Sequence, residues 1–191
     1  MKNSRKMVLG ITILAAMLLK AQNSGMDNML KVGVNAGIAV PSTNASANLG
    51  ADLAYQNLKT PGFGWGFATG YNHFFGAKNN VNNVTIKNND FGLVPVAALL
   101  RYYPEQMGFY LGTDLGYSFI VGNQYVAENV NVKRPNGGFY LRPELGWHNT
   151  DWNAALQYVK VFTGTKGNIP GQDYNAGALG VHFSYNIPLG K

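Results

Sequence analysis

Residues 63–75 read FGWGFATGYNHFF, with Phe63, Trp65, Phe67, Tyr71 and Phe75 at odd positions and Gly64, Gly66, Ala68, Gly70 and Asn72 at even ones. Successive side chains of a strand point to opposite faces. One face of this stretch is therefore bulky and aromatic, and the other is nearly bare backbone. A soluble sheet buries its large apolar face and offers water a polar one. A strand that is fat on one side and thin on the other fits a small barrel with aromatics facing lipid and little room inside. The glycines then leave space for neighbouring Arg and Tyr side chains to fill the bore.

The start of the chain points to export. Lys2, Arg5 and Lys6 form a basic segment, Met7 to Leu19 an apolar run of about thirteen residues, and Leu19-Lys20-Ala21 a cleavage site before Gln22. That order describes a secretory signal peptide over residues 1–21. The run falls short of the roughly 20 residues a spanning helix needs. No Cys follows it, so a lipoprotein anchor is excluded. Removing Lys2, Arg5, Lys6 and Lys20 reduces 15 basic groups to 11 against 9 acidic ones, and the net charge falls from +6 to +2. The basic pI therefore gives no support for nucleic-acid binding. With no Cys anywhere, a disulfide-stapled secreted domain is also excluded. Residues 22–191 suffice for one domain.

Period-two alternation recurs through that domain. It runs over Leu30–Val40, Asn48–Leu58, Gly62–Phe75, Phe109–Val121, Gly138–His148, Trp152–Phe162 and Tyr174–Ile187. Phe91–Tyr103 is ambiguous, being apolar on both faces until Arg101. This makes eight strands, near the ~9–11 residues that cross a bilayer. Connections after the second, fourth and sixth are short: 59–61, 104–107 and 149–151. Those after the third, fifth and seventh are longer and rich in Asn, Gly and Lys: 76–89, 122–136 and 164–172. The first, Pro41–Ala47, is intermediate. Alternating loop lengths mark an up-and-down barrel with short periplasmic turns and long outer loops. Solvated, mobile loops are the default for the long ones.

On these features the chain resembles the PorT-like or porin-like outer membrane β-barrel proteins of Gram-negative bacteria, with small eight-stranded adhesion and resistance barrels more distant. The residues carrying the resemblance are LKVGVNAGIAV (30–40), PGFGWGFATGY (61–71), VPVAALLRYYP (94–104) and FYLGTDLGYSF (109–119), within residues 29–187. It implies an all-β, eight-stranded antiparallel transmembrane barrel in the outer membrane. It also implies a bilayer and lipopolysaccharide environment, and assembly by the outer-membrane machinery. The chain departs from the family at its end. Such barrels often finish on an aromatic, whereas this one reads Tyr185-Asn-Ile-Pro-Leu-Gly-Lys191. Val181–Ile187 is then the expected recognition segment.

Alternation places Lys31, Asp52, Arg101, Asp114, Arg142, Glu144, His148 and His182 inside. Charges in an eight-strand interior require pairing, so a lumenal network of Arg101, Asp114, Arg142, Glu144, Lys31 and Asp52 is expected. It either plugs and rigidifies the barrel or lines a narrow pore or small-ligand cavity. A plugged structural or interaction barrel, serving envelope stability, adhesion or a secretion accessory role, is the leading reading. A soluble lipocalin-like barrel is a third possibility, and it requires an apolar calyx and a polar exterior. His182 and Ser184 share a strand face, and Glu144 could orient the His, as a Ser–His–acid hydrolase requires. Lipid A deacylase barrels have a comparable His-x-Ser, but they present it to lipid. Lipid hydrolysis is therefore remote, and no enzyme activity is expected. His73, His148 and His182 lie on separate strands with no metal-ligand spacing, and no metal or cofactor is expected. Trp65, Tyr71, Tyr102, Tyr103, Tyr117, Trp147, Trp152 and Tyr185 fall near strand ends, as interfacial girdles do. Segments 76–89, 122–136 and 164–172 are the candidate surface for a partner.

Overall fold

A computed structural model describes residues 27–81 and 83–190. The expected signal segment, 1–21, lies outside the described residues. Eight strands close a barrel: β1 (Asn28–Ala39), β2 (Ala45–Thr60), β3 (Phe63–Gly76), β6 (Phe91–Tyr102), β7 (Gly108–Gly122), β10 (Gly137–His148), β11 (Trp152–Phe162) and β12 (Ala176–Gly190). Each pairs antiparallel with its neighbours in chain order, and β12 returns to β1. The closing seam joins Val34 to Phe183 and Lys31 to Asn186. Closure leaves no strand edge unpaired, which is what permits a sheet to sit in hydrocarbon.

The side-chain alternation matches the sequence reading. On β3, Phe63, Trp65, Phe67, Tyr71 and Phe75 are exposed, and Gly64, Gly66, Ala68 and Asn72 are buried. The ambiguous strand is resolved as β6. Phe91, Leu93, Ala97, Leu99 and Arg101 are buried, whereas Val96 and Tyr102 are exposed. Strand residues between the two rims expose Val34, Leu53, Phe67, Leu111, Leu145, Leu156 and Val181, and the charges are inside. This is the inverse of a lipocalin calyx.

At one end the termini meet the short turns. In the β2–β3 turn Pro61 precedes Gly62, whose φ of 72° is left-handed. Pro then Gly with that angle is the type II arrangement, and Thr60 pairs with Phe63 across it. Tyr103, expected in the girdle, is instead buried in the bore, because it follows Arg101 on the inward parity and its backbone NH donates to the Gly62 carbonyl, 2.8 Å.

The opposite end departs most from expectation. The long connections are not merely solvated loops. Segment 77–90 holds a hairpin of β4 (Lys78–Val81) and β5 (Val84–Lys87), and segment 123–136 holds one of β8 (Tyr125–Ala127) and β9 (Val130–Lys133). The hairpins bridge each other through Asn88 and Ala127. The Glu128 NH donates to the Lys87 carbonyl at 2.9 Å, and the Asn129 amide to the Thr85 carbonyl at 2.8 Å. The third connection joins them: the Gln172 side chain donates to Asn88 Oδ1 at 2.7 Å, and Ile169 packs with Ile86 and Ala127. Alternating apolar residues supply this small core, and the Asn side chains satisfy the backbone groups around it.

Beneath the cap lies an apolar plug. Phe74, Phe91, Leu93, Ile120, Tyr140, Val159, Val161 and Tyr174 are buried in one cluster, with Phe74 and Phe91 stacked at 4.8 Å. Burial raises the Tyr174 phenol above its ordinary range, so it stays neutral there. The cap is expected to depend on its own core rather than on the barrel. Ile86→Asp, which buries a carboxylate among Ala127 and Ile169, should speed proteolysis of 77–90 and 123–136 by roughly tenfold or more. The barrel's heat-modifiable gel mobility should not change. Unaltered cleavage would show that the hairpins are held some other way.

Candidate functional site

Between the apolar plug and the turn end, side chains from β2, β6, β7, β10 and β12 meet in the bore. Arg101 Nη1 donates to Asp114 Oδ1 at 2.8 Å, and its Nε lies 2.5 Å from Glu144 Oε1. Arg142 Nε donates to Asp114 Oδ2 at 2.8 Å, and its Nη1 to Asp52 Oδ1 at 3.0 Å. Asp114 thus joins both guanidiniums. Arg101 also donates to the carbonyls of Leu100 and Thr113, at 2.9 and 3.0 Å. All five side chains are almost fully buried. Such burial is tolerable only because each charge is paired, although Glu144 Oε2 has no hydrogen-bond partner among the described residues.

Thin positions make the packing possible. The Arg101 stem lies against Gly112 and the Tyr110 ring against Gly146, where a Cβ would overlap them. On β3, however, the bore-facing glycines admit Gln56 beside Gly64 and Asp52 beside Gly70, not Arg or Tyr as expected. The remaining space among Asp52, Arg101, Arg142, Glu144 and His182 amounts to about 10 Å³. That is room for a single water at most. On the loop side an amide layer continues the closure. Asn35 donates to Asp52 Oδ2 at 2.7 Å, and Asn48 to Asn35 and Asn72 at 3.1 and 3.4 Å.

Five of the six expected network residues are therefore brought together. Lys31 stands apart. Its ammonium donates to the Tyr103 hydroxyl at 3.1 Å and to Asn153 Oδ1 at 3.2 Å, and no carboxylate pairs with it among the described residues. His182, not among the six, lies between Asp52 and Glu144, 3.6 and 3.9 Å away. Its inward parity was readable, but its height in the barrel depends on the β11–β12 and β12–β1 registers, which no single strand reveals. Ser184 is buried on the same inner face, and its hydroxyl has no partner among the described residues. Neither side chain is presented to lipid. Among the described residues no group of three or more His, Asp or Glu is placed to hold a metal ion.

Below Lys31 the bore widens into a vestibule of about 630 Å³ at the turn end. Lys31, Tyr103, His148, Asn153 and Asn186 are buried where it narrows. Leu58, Pro104 and Met107 line it as well, with Asp27 and Glu105.

The chain is similar to Neisserial surface protein A. The crystal structure of that protein matches at 11% identity and a TM-score of 0.47, over 86% of this chain and 99% of that one. No family model matches this chain, and no curated protein does.

Proposed function

We propose that this chain is an integral outer-membrane protein whose barrel spans the bilayer, does not conduct, and carries a structural or interaction role at the cell envelope. The observation that carries the reading is the closed bore. An ion-paired cluster with about 10 Å³ of free space is stacked beneath an apolar plug and a packed cap. Eight strands provide an interior that side chains can fill. The apolar exterior supports a lipid surrounding. Exposed Trp65, Tyr102, Trp147 and Trp152 form the girdle at the turn end, and Tyr71, Phe75 and Tyr117 the one at the loop end.

In this orientation the turns and both strand termini face the periplasm, and the cap faces outward into the lipopolysaccharide layer. The outer-membrane assembly machinery inserts the chain, reading Val181–Ile187 near its end. The cap made by 76–89, 122–136 and 164–172 presents the partner surface. Its packed hairpins lower the ordering cost of binding relative to free loops.

Two measurements on the detergent-extracted protein test the proposal. Unboiled and boiled samples should migrate differently on a gel, and planar bilayers should show a flat trace. Recovery in the soluble fraction would overturn the membrane reading. Stepwise conductance would replace the plug with a narrow pore.

A further inference from the structure

We propose that the turn-end vestibule is a binding site for a small amphoteric carboxylate, an amino acid or short peptide, whose carboxylate docks at Lys31. Three observations carry this. First, the vestibule is blind. At about 630 Å³ it has the size of a small-molecule site, and it ends against the closed ion-pair cluster. Second, its floor is polar and incompletely satisfied. Lys31 is buried with only neutral oxygens, of Tyr103 and Asn153, within hydrogen-bond reach. An ammonium carries three donors, so these leave one for a ligand. His148, 9% exposed, holds its Nε2 without a hydrogen-bond partner among the described residues. Its ring is edge-on to Tyr103 at 4.5 Å, which fixes its orientation beside the lysine. A buried ring nitrogen without a partner costs free energy that a hydrogen bond with a ligand would recover, the nitrogen donating or accepting according to its tautomer.

Third, the remaining lining suits the other parts of such a molecule. Leu58, Pro104 and Met107 offer apolar wall for a short side chain. Asp27 and Glu105, also on the wall, would receive an ammonium group and disfavour a simple anion. A ligand with a carboxylate at one end and an amine at the other uses both charges. The proposal rests on the closed bore for the vestibule's blind end, but the cluster does not contact the ligand, so a failure of dipeptide binding and a conducting barrel show in different measurements.

The test titrates L-alanyl-L-alanine into the full-length protein folded in detergent micelles, by calorimetry and by NMR of the His148 ring. Saturable binding with perturbed His148 signals is expected. Amidating the dipeptide's carboxylate should weaken it tenfold or more on the unchanged protein. Lys31→Met should weaken it by a similar factor, its fold checked by heat-modifiable mobility. Glu105→Gln, at an exposed position, should weaken the dipeptide severalfold but leave N-acetyl-alanine unaffected. Absence of saturation, or equal binding of the amide and the free acid, overturns the proposal. The amide comparison needs no variant, so it decides even where Lys31→Met fails to fold.

Discussion

Asp114→Ala is expected to lower the barrel's unfolding free energy by about 3–5 kcal/mol, the cost of removing one partner from a buried ion pair. Asp114 is the member whose loss does most harm. It is fully buried and contacts Arg101 and Arg142, and among the described residues no other acid touches both guanidiniums. Without it Arg101 keeps Glu144 and the carbonyls of Leu100 and Thr113, and Arg142 keeps Asp52, but Arg142 Nε and Nη2 lose the carboxylate they meet. The space freed cannot be recovered by collapse, because the strands around it are fixed by the closed hydrogen-bond ladder. Urea titration of the protein folded into lipid vesicles, followed by heat-modifiable mobility, measures the loss. Asp114→Asn is the comparison. It keeps an acceptor oxygen and the volume but removes the charge, and a smaller loss is expected. A change below about 1 kcal/mol for Asp114→Ala would mean that water reaches the arginines, as at an exposed ion pair. The plug reading would then fall with it.

How much of this was legible in the sequence depends on the range of the interaction. Alternation is local, so the facing of β3 or β7 and the lumenal position of Asp52, Arg101, Asp114, Arg142 and Glu144 could be read strand by strand. Height along the bore is not local. It follows from the stagger of all eight strands, and for that reason inward parity alone groups Lys31 with acids it does not touch and leaves the nearness of His182 to Asp52 and Glu144 unread. The cap is hidden in the sequence for a different reason. Its strands span only three or four residues and resemble polar loop, yet Val81-Asn-Asn-Val84 carries a two-residue hairpin cue in its central Asn pair. Asn83 indeed adopts a positive φ of 63°. Ile86, Val126, Val130, Val132 and Ile169 carry the second cue, apolar residues spread over three supposedly solvated loops. Tyr103 shows the limit of composition at a rim. An aromatic next to a turn fits a girdle or a bore equally, and parity with Arg101 decides between them.

Val181→Arg is expected to destabilise the barrel by about 2–4 kcal/mol in lipid, and its sign distinguishes a membrane wall from a wetted one. Val181 is 62% exposed and pairs with Leu156, itself 54% exposed. Along the same strand pair, Trp152 faces Tyr185 toward the turns and Lys160 faces Gly177 toward the loops, with Leu156 and Val181 midway between. Trp152 is exposed at the turn end, at the level of the proposed girdle. Lys160 at the other rim directs its ammonium to Asn175 Oδ1 at 2.5 Å, which keeps the charge out of the apolar band. Halfway between these levels an arginine cannot reach either interface without bending its stem along the wall, so most of the desolvation cost remains. On a soluble barrel the same change would replace exposed apolar surface by charge, with an effect within about 0.5 kcal/mol and better solubility. Parallel urea titrations in vesicles and in detergent read the difference. Substitution at Lys160, near the interface, serves as the depth control and should cost at most about 1 kcal/mol. Equal stability of wild type and Val181→Arg in vesicles would remove the bilayer from around β11 and β12, and with it the transmembrane assignment.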